Sequence, residues 1–251
     1  MVLHPDQHVL TCLLEGKLTM QGEFMWGSNY TFLIQVEHPL GEYQAVYKPT
    51  KGVRQLWDFP SQTLARREVA AYLVDLALQW NQVPPTVLRQ DGPLGPGSLQ
   101  MFIEHDPEYH YFNFSPQDRQ RLRPVALFDL LINNADRKGS HILVGPDRKI
   151  WLIDHGICFH VQEKLRTVIW DYSGEGIPED LCRDLSRLRQ KIGSPEIIMD
   201  APSAHSSFGQ LRNYLNAAEI AALLQRADRL VAAGRYPYPD PGRRHYPWPA
   251  L

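Results

Sequence analysis

Residues 127–159, LFDLLINNADRKGSHILVGPDRKIWLIDHGICF, decide how this chain is read. Two short apolar stretches, HILV (141–144) and IWLID (150–154), flank the turn-forming GPDRK (145–149), which predicts an antiparallel hairpin. With the turn centred on Asp147, strand pairing sets His141 opposite Ile153 and Asp154 opposite Ser140. INNADRKGSH (132–141) then arrives beside IDHG (153–156), so Asp136, His141 and Asp154 converge at one end of one ribbon. Two carboxylates brought together are costly unless a cation or a substrate uses them. Asp154 ends an apolar strand, and Gly156 is expected to let the backbone turn sharply after it. Such an acid suits Mg²⁺, which prefers carboxylate oxygens completed by phosphates and waters. Asp136 stands in a loop after a helix, where it suits orienting a hydroxyl or accepting its proton. Plainer roles compete: Asp154 capping a turn, and Asp136 in a surface ion pair with Arg137.

Upstream, residues 1–50 read as strand-rich, with YTFLIQV (30–36) and YQAVYK (43–48) forming a hairpin across HPLGE. Lys48 ends the second strand, across from Tyr30 and Thr31 and close to the small-residue turn Gly27, Ser28, Asn29. Backbone N–H groups of such a turn, with a lysine beside them, suit a phosphate. SQTLARREVAAYLVDLALQW (61–80) has helical spacing: Leu64, Ala65, Val69, Tyr72, Leu73, Leu76 and Trp80 line one face, with Arg66, Arg67, Asp75 and Gln79 mostly opposite. Asn81 and Pro84-Pro85 stop it. Glu68 falls at the edge of the apolar stripe and needs a cation; Lys48 is one candidate, Arg66 or Arg67 on its own helix the other. SLQMFIEH (98–105) reads as a strand running into a connector.

Ser115 caps a helix with Pro116 in its first turn, and Pro124 divides it from VALFDLLIN (125–133). Beyond the hairpin the chain turns helical, at SRLRQKI and again over 218–234, where Gly234 closes the helix. RYPYPDPGRRHYPWPAL (235–251) is too aromatic for a plain linker and is expected to lie over the body of the protein or to bind a partner. The order predicts an α+β fold: a sheet-rich lobe over 1–104 and a mostly helical lobe over 105–251, with the connector near Met101–Asp106 as the hinge.

Bulk properties bound the function. Among 251 residues, 43% are hydrophobic and 22% charged, enough apolar surface for a sizeable core. The formal net charge of −2 supplies no general basic field for nucleic acid. Cys12, Cys158 and Cys182 are scattered and odd in number, which argues against a disulfide framework and for a reducing compartment. No signal peptide and no run of about 20 apolar residues is evident, so a cytoplasmic protein without a transmembrane segment is expected.

Four elements stand in fixed order: YKP with Lys48, RREVAAYLVD with Glu68, NNADRKGSHILV with Asp136, and LIDHG with Asp154. In this order they resemble the protein-kinase-like superfamily, above all its atypical branch of phosphatidylinositol 3- and 4-kinase-like catalytic domains. Residues 127–159 carry that branch's N-x-D-R pattern, short hairpin and I-D-x-G-x-x-F; the bacterial persistence-toxin kinases share much of it. The resemblance implies a two-lobed kinase that binds ATP and Mg²⁺. Lys48 would contact the nucleotide phosphates and Glu68 would hold it. Asp136 would be the catalytic Asp and Asp154 the metal ligand, while Met101, Phe102, Ile103 and Glu104 would lie along the adenine. The family usually places Asn, a second metal ligand, where His141 stands here; imidazole suits Mn²⁺ better than Mg²⁺.

The acceptor hydroxyl stays open between a protein, a small alcohol or sugar, and a lipid headgroup, with residues 160–178 as its docking segment. Other readings also stay open. One is a nucleotide-binding scaffold without turnover, which His141 favours. Another is AMP transfer on the same fold. A third is a metal hydrolase using His105, His110, His141, Asp154 and His155, which lack the i, i+4 spacing of a helical zinc motif.

Overall fold

A computed structural model describes residues 5–23, 31–52, 56–193 and 211–251. The chain opens with helix α1 (Pro5–Glu15), followed by strands β1 (Lys17–Glu23), β2 (Phe32–His38) and β3 (Gly41–Pro49). Helix α2 (Leu64–Leu78) comes next, then β4 (Thr86–Arg89) and β5 (Gly97–Met101). The five strands form one antiparallel sheet of order β1-β2-β3-β5-β4.

Alternation along β2 turns Phe32, Ile34 and Val36 inward, and β3 adds Ala45 and Tyr47 to the same face. These side chains pack with Val87, Leu99 and Leu13 of α1 in a first core. The β2–β3 hairpin has the register Phe32↔Tyr47 through His38↔Gly41, as its two stretches imply. Helix α1 departs from the strand-rich reading of residues 1–50. It has only three turns, and its stability comes from docking Cys12 and Leu13, both fully buried. Arg89 donates to the carbonyls of Leu13 (2.9 Å) and Gly16 (3.0 Å), satisfying backbone acceptors at the helix end. Gly16 is required there, because a Cβ would lie 2.5 Å from the Cys12 carbonyl and 2.6 Å from Val36.

Helix α2 ends where Gln79 takes left-handed φ of 63°, before the expected stop at Asn81. Two of its polar residues correct the helical-wheel reading: Arg67 and Asp75 are 4% and 1% exposed rather than on a solvent face. The Asp75 carboxylate accepts the N–H groups of Gln82 (2.8 Å) and Val83 (2.9 Å), stapling the turn that leads into β4. Arg67 reaches across the molecule to a distant helix.

The second part begins with α3 (Pro116–Gln120), capped by the Ser115 hydroxyl, and α4 (Arg123–Ile132) with its proline in the first turn. The ribbon β6 (Ile142–Val144) and β7 (Ile150–Leu152) follows. Helices α5 (Glu179–Gly193) and α6 (Ala217–Ala233) complete it, α5 starting well before the SRLRQKI stretch. Left-handed Gly234 closes α6 as expected. The large core joins α2, α4, the ribbon, α5 and α6. A small cluster of Phe59, Leu64 and Ala135 sits where the start of α2 meets the loop after α4. The aromatic segment 235–251 lies across this second part, with Tyr236 buried and its hydroxyl on the Arg123 carbonyl (2.9 Å).

Candidate active site

The ribbon pairs Ile142 with Leu152, and the Ile153 N–H donates to the His141 carbonyl (3.1 Å), the register expected from its turn. The acidic end is fixed by Arg137, which is fully buried. Its Nε meets Asp129 Oδ1 at 3.0 Å, one Nη donates to the carbonyls of His141 (3.1 Å) and Ile153 (2.8 Å), and the other meets His155 Nε2 at 2.8 Å. One guanidinium thus grips both strands of the ribbon just beside Asp154, while Asp136 is its own chain neighbour. This removes the alternative of a surface Asp136–Arg137 ion pair. Asp129, also fully buried, accepts further bonds from Asn134 Nδ2 (3.0 Å) and the Thr167 hydroxyl (3.1 Å). Burial pushes the Asp129 carboxyl up despite the opposing pull of Arg137.

The loop between α4 and the ribbon is shaped by two buried asparagines. Asn133 takes φ 54° as the cap of α4 and donates to the carbonyls of His160 (2.9 Å) and Gln162 (2.7 Å). The Asn134 side-chain oxygen accepts the Asp136 N–H at 3.0 Å, a local turn that sets the acid's direction. Asp136 has 29% side-chain exposure, with Lys138 Nζ 3.7 Å away. Burial raises its carboxyl to about 6; Lys138 opposes that shift and Asp154 adds to it.

Asp154 carries the sharp turn itself, at φ 60°; Gly156 is not left-handed. The tight bend predicted at the glycine therefore falls on the acid, a conformation that Asp tolerates better than most residues and that recurs at functional positions. Its carboxylate pairs with Lys48 Nζ on one oxygen and lies 3.1 Å from His141 Nε2 on the other. Burial alone would raise Asp154; Lys48 and His141 outweigh it and hold the acid well below the carboxylate range. Lys48 sits opposite Ser98 of β5 and also meets Glu68 Oε1 at 2.7 Å. Burial would lower the amine, but Asp154 and Glu68 hold it above the lysine range. Glu68 is 4% exposed, and its other oxygen accepts the His155 N–H (2.8 Å). Its cation is therefore Lys48, not an arginine of its own helix.

His141 is pushed down to about 4, chiefly by burial, so it is neutral at neutral pH. The Lys138 N–H approaches its Nδ1 at 3.5 Å, which leaves the proton on Nε2, directed at Asp154. His155 is likewise kept neutral by burial and by Arg137.

On the connector, the Met101 N–H goes to the Pro85 carbonyl (2.9 Å) and the Phe102 N–H to Gln44 (2.9 Å). The Ile103 carbonyl meets His105 Nδ1 at 2.8 Å. A groove of about 530 Å³ runs between residues 104–106 and the ribbon's turn, at the opposite end of the ribbon from Asp154. Gly27, Ser28 and Asn29 lie outside the described residues. Among the described residues, no three His, Cys, Asp or Glu side chains gather as a metal-holding group, so the histidine-rich hydrolase set does not assemble there.

Sequence reasoning thus located Lys48, Glu68, His141 and Asp154 in one contact network, with Asp136 at its edge. It missed Asp129, Arg137, Asn133, Asn134 and Lys138. The signal available for these was polar side chains placed in and just after an apolar helix, where an unpartnered polar group would be costly.

Residues 60–201, more than half of the chain, match the family model for phosphatidylinositol 3- and 4-kinase. The chain belongs to this family. Among members and relatives, Protein Rv2133c of Mycobacterium tuberculosis is 38% identical over 286 residues, spanning 100% of this chain and 98% of that one. Phosphatidylinositol 4-kinase gamma 4 of Oryza sativa subsp. japonica is 31% identical over 126 residues, which is 43% of this chain but 22% of the plant protein. The crystal structure of the Golgi casein kinase with Mn/ADP bound aligns with a TM-score of 0.56 at 14% identity, covering 96% of this chain and 81% of that one. This phosphatidylinositol 3- and 4-kinase family member therefore has a protein-kinase-like, two-lobed α+β fold, the architecture of kinase-type phosphotransferases. No described helix is long and apolar enough to cross a membrane.

Proposed function

We propose that the chain is an ATP-dependent kinase that transfers the γ-phosphoryl group to a hydroxyl acceptor. One observation carries the reading: Lys48 of the sheet is clamped between Glu68 of α2 and Asp154 at the end of the ribbon. Three residues separated in sequence build one charged contact across the two parts of the fold, near enough to Asp136 for the Asp154 charge to act on its carboxyl.

In this reading the lobes are residues 1–104 and 105–251, and the nucleotide lies between them. Lys48 meets the phosphates while Glu68 fixes its amine. The Ile103 and Glu104 N–H groups donate to no described residue and face the edge of the base, with Met101 and Phe102 beside it. A divalent ion supplies charge neutralisation for the triphosphate. The residues fit one: Asp154 is ionised and partly open to solvent at 40% side-chain exposure, and Mg²⁺ or Mn²⁺ needs few protein ligands when phosphates and waters complete its shell. His141 stands beside Asp154 and could join as second ligand in its other tautomer, with the proton moved to Nδ1 and the long Lys138 N–H contact given up; imidazole suits Mn²⁺ better than Mg²⁺. Asp136 orients the acceptor hydroxyl and takes its proton; a carboxyl raised to about 6 suits that work near neutral pH. Lys138, 3.7 Å from Asp136, adds positive charge where the transferred group passes. The acceptor, a protein, a small alcohol or a lipid headgroup, docks along residues 160–178. Three unpaired cysteines fit a reducing, cytoplasmic setting.

The test is ATP turnover with Mg²⁺ or Mn²⁺ in wild type, Asp136→Asn and Asp154→Asn. Both variants are expected to lose transfer by at least a hundredfold. Asp154→Asn also weakens metal-dependent nucleotide binding, which Asp136→Asn spares. Undiminished turnover in both variants overturns the reading. The neutral His141 against Asp154 favours a second reading, a nucleotide-binding scaffold, which predicts binding without turnover in the wild type. ATP labelled at the α or γ position separates phosphoryl from AMP transfer.

A further inference from the structure

Within the aromatic segment 235–251, Tyr236 enters the large core, but Tyr238, Trp248 and Leu251 are 74%, 81% and 51% exposed. The segment's backbone is nevertheless committed at chosen places. The His245 carbonyl accepts the Thr167 N–H (3.0 Å) and Trp170 Nε1 (3.3 Å). The Ala250 carbonyl accepts the N–H of Gly139 (2.8 Å). Gly139 opens the turn Gly139–His141 that carries His141 to Asp154, and it stands three residues from Asp136. Its missing side chain matters: a Cβ there would lie 2.8 Å from Phe112 and 3.5 Å from Leu251.

The two targets of this segment are themselves joined. The Arg137 N–H donates to the Arg166 carbonyl (2.9 Å), and the Val168 N–H returns to the Arg137 carbonyl (3.1 Å), a parallel bridge between Arg137 and Thr167. Residues 137–139, 166–168 and 245–250 therefore form three adjacent runs of backbone. The middle of the first run holds Lys138, beside Asp136. Lys48, Glu68 and Asp154 are positioned by the sheet, α2 and Arg137, with no bond to the aromatic segment.

We propose that residues 245–250 are a positioning segment of the phosphotransfer site, locking the loop that bears Asp136 and Lys138 to the acceptor-side residues 166–170. The proposal rests on the kinase reading above. It assigns the segment to the transfer step and not to nucleotide capture. A purely structural role would instead move stability and nucleotide affinity together.

The test compares the full chain, a variant lacking residues 244–251, and Trp170→Phe, which removes one of the two donors to His245. ATP affinity in the presence of Mn²⁺ is expected to stay within about twofold in all three. The turnover number should fall at least tenfold in the deletion and severalfold in Trp170→Phe. A synthetic peptide of residues 244–251, added at millimolar concentration, should restore part of the deletion's turnover. Amide exchange provides the readout independent of activity: the amides of Gly139 and Thr167 lose protection in the deletion while that of Leu152 keeps it. If the wild type shows no turnover, the kinase reading fails, and the exchange pattern still decides whether the segment holds the loop. Turnover within twofold of wild type in the deletion, unchanged protection at Gly139 and Thr167, or a parallel loss of ATP affinity each overturns the proposal.

Discussion

Asp136 shows how a site residue can cost stability. Its carboxyl is raised to about 6 in the folded protein, first by burial and then by the charge on Asp154. A raised acid favours the folded state most fully below its unfolded value, near 3.9, and that contribution is lost as pH climbs through 6. The metal-free wild type should therefore lose stability between pH 4 and pH 7 relative to Asp136→Asn, by about 2–3 kcal/mol. Urea denaturation of both proteins at the two pH values measures this. Equal slopes with pH would show that Asp136 is not held in a strained electrostatic environment. The acid itself was legible from N-x-D-R, but its protonation was not: burial is a property of the surrounding chain, and Asp154 lies 18 residues away in sequence.

At the scale of elements, the ribbon was readable because strand alternation and a five-residue turn fix its register, and the register alone placed His141 against Ile153. What the pattern did not reveal is why the ribbon and the loop before it stay together. That depends on Arg137, whose guanidinium serves Asp129, two ribbon carbonyls and His155 with no exposure to solvent. A buried arginine cannot be told from a surface one in a polar stretch such as NADRKGS. Glycine misled in the same way: the bend expected at Gly156 sits on Asp154, because the arginine and Glu68 hold the flanking backbone groups. Arg137→Ala should cost about 3–5 kcal/mol, since it leaves Asp129 buried and uncompensated. Arg137→Ala combined with Asp129→Leu should recover part of that loss. Thermal unfolding of the single and double variants checks the prediction, and a single variant within 1 kcal/mol of wild type would contradict it.

Across the whole molecule, the two parts of the fold were legible from the order of strands and helices, but the bond between them was not. Helix α2 carries Glu68, which orients Lys48, and the neighbouring Arg67 anchors that helix to the opposite part. Arg67 pairs with Glu219 and donates to the Cys158 carbonyl, 152 and 91 residues distant. No periodicity within a single sequence reports such a partner, which is why Arg67 was expected on the solvent face. Glu219 serves a second purpose: its carboxylate accepts the Asn216 N–H (2.9 Å) while the Asn216 side chain accepts the Glu219 N–H (3.0 Å), a reciprocal cap on α6. Loss of Glu219 thus frays α6 and strands a buried guanidinium at once. Glu219→Gln preserves the cap geometry and removes the charge, so it isolates the ion pair. It should cost about 2–3 kcal/mol, whereas Glu219→Ala should cost about 1 kcal/mol more, the usual value of a cap. A double-mutant cycle of Glu219→Gln with Arg67→Met should give a coupling energy above about 1 kcal/mol. ATP affinity should weaken in Glu219→Gln as α2 loosens and Glu68 loses its aim at Lys48, even though Glu219 touches neither residue. A coupling near zero, with ATP affinity unchanged, would mean that α2 is held by its apolar contacts alone.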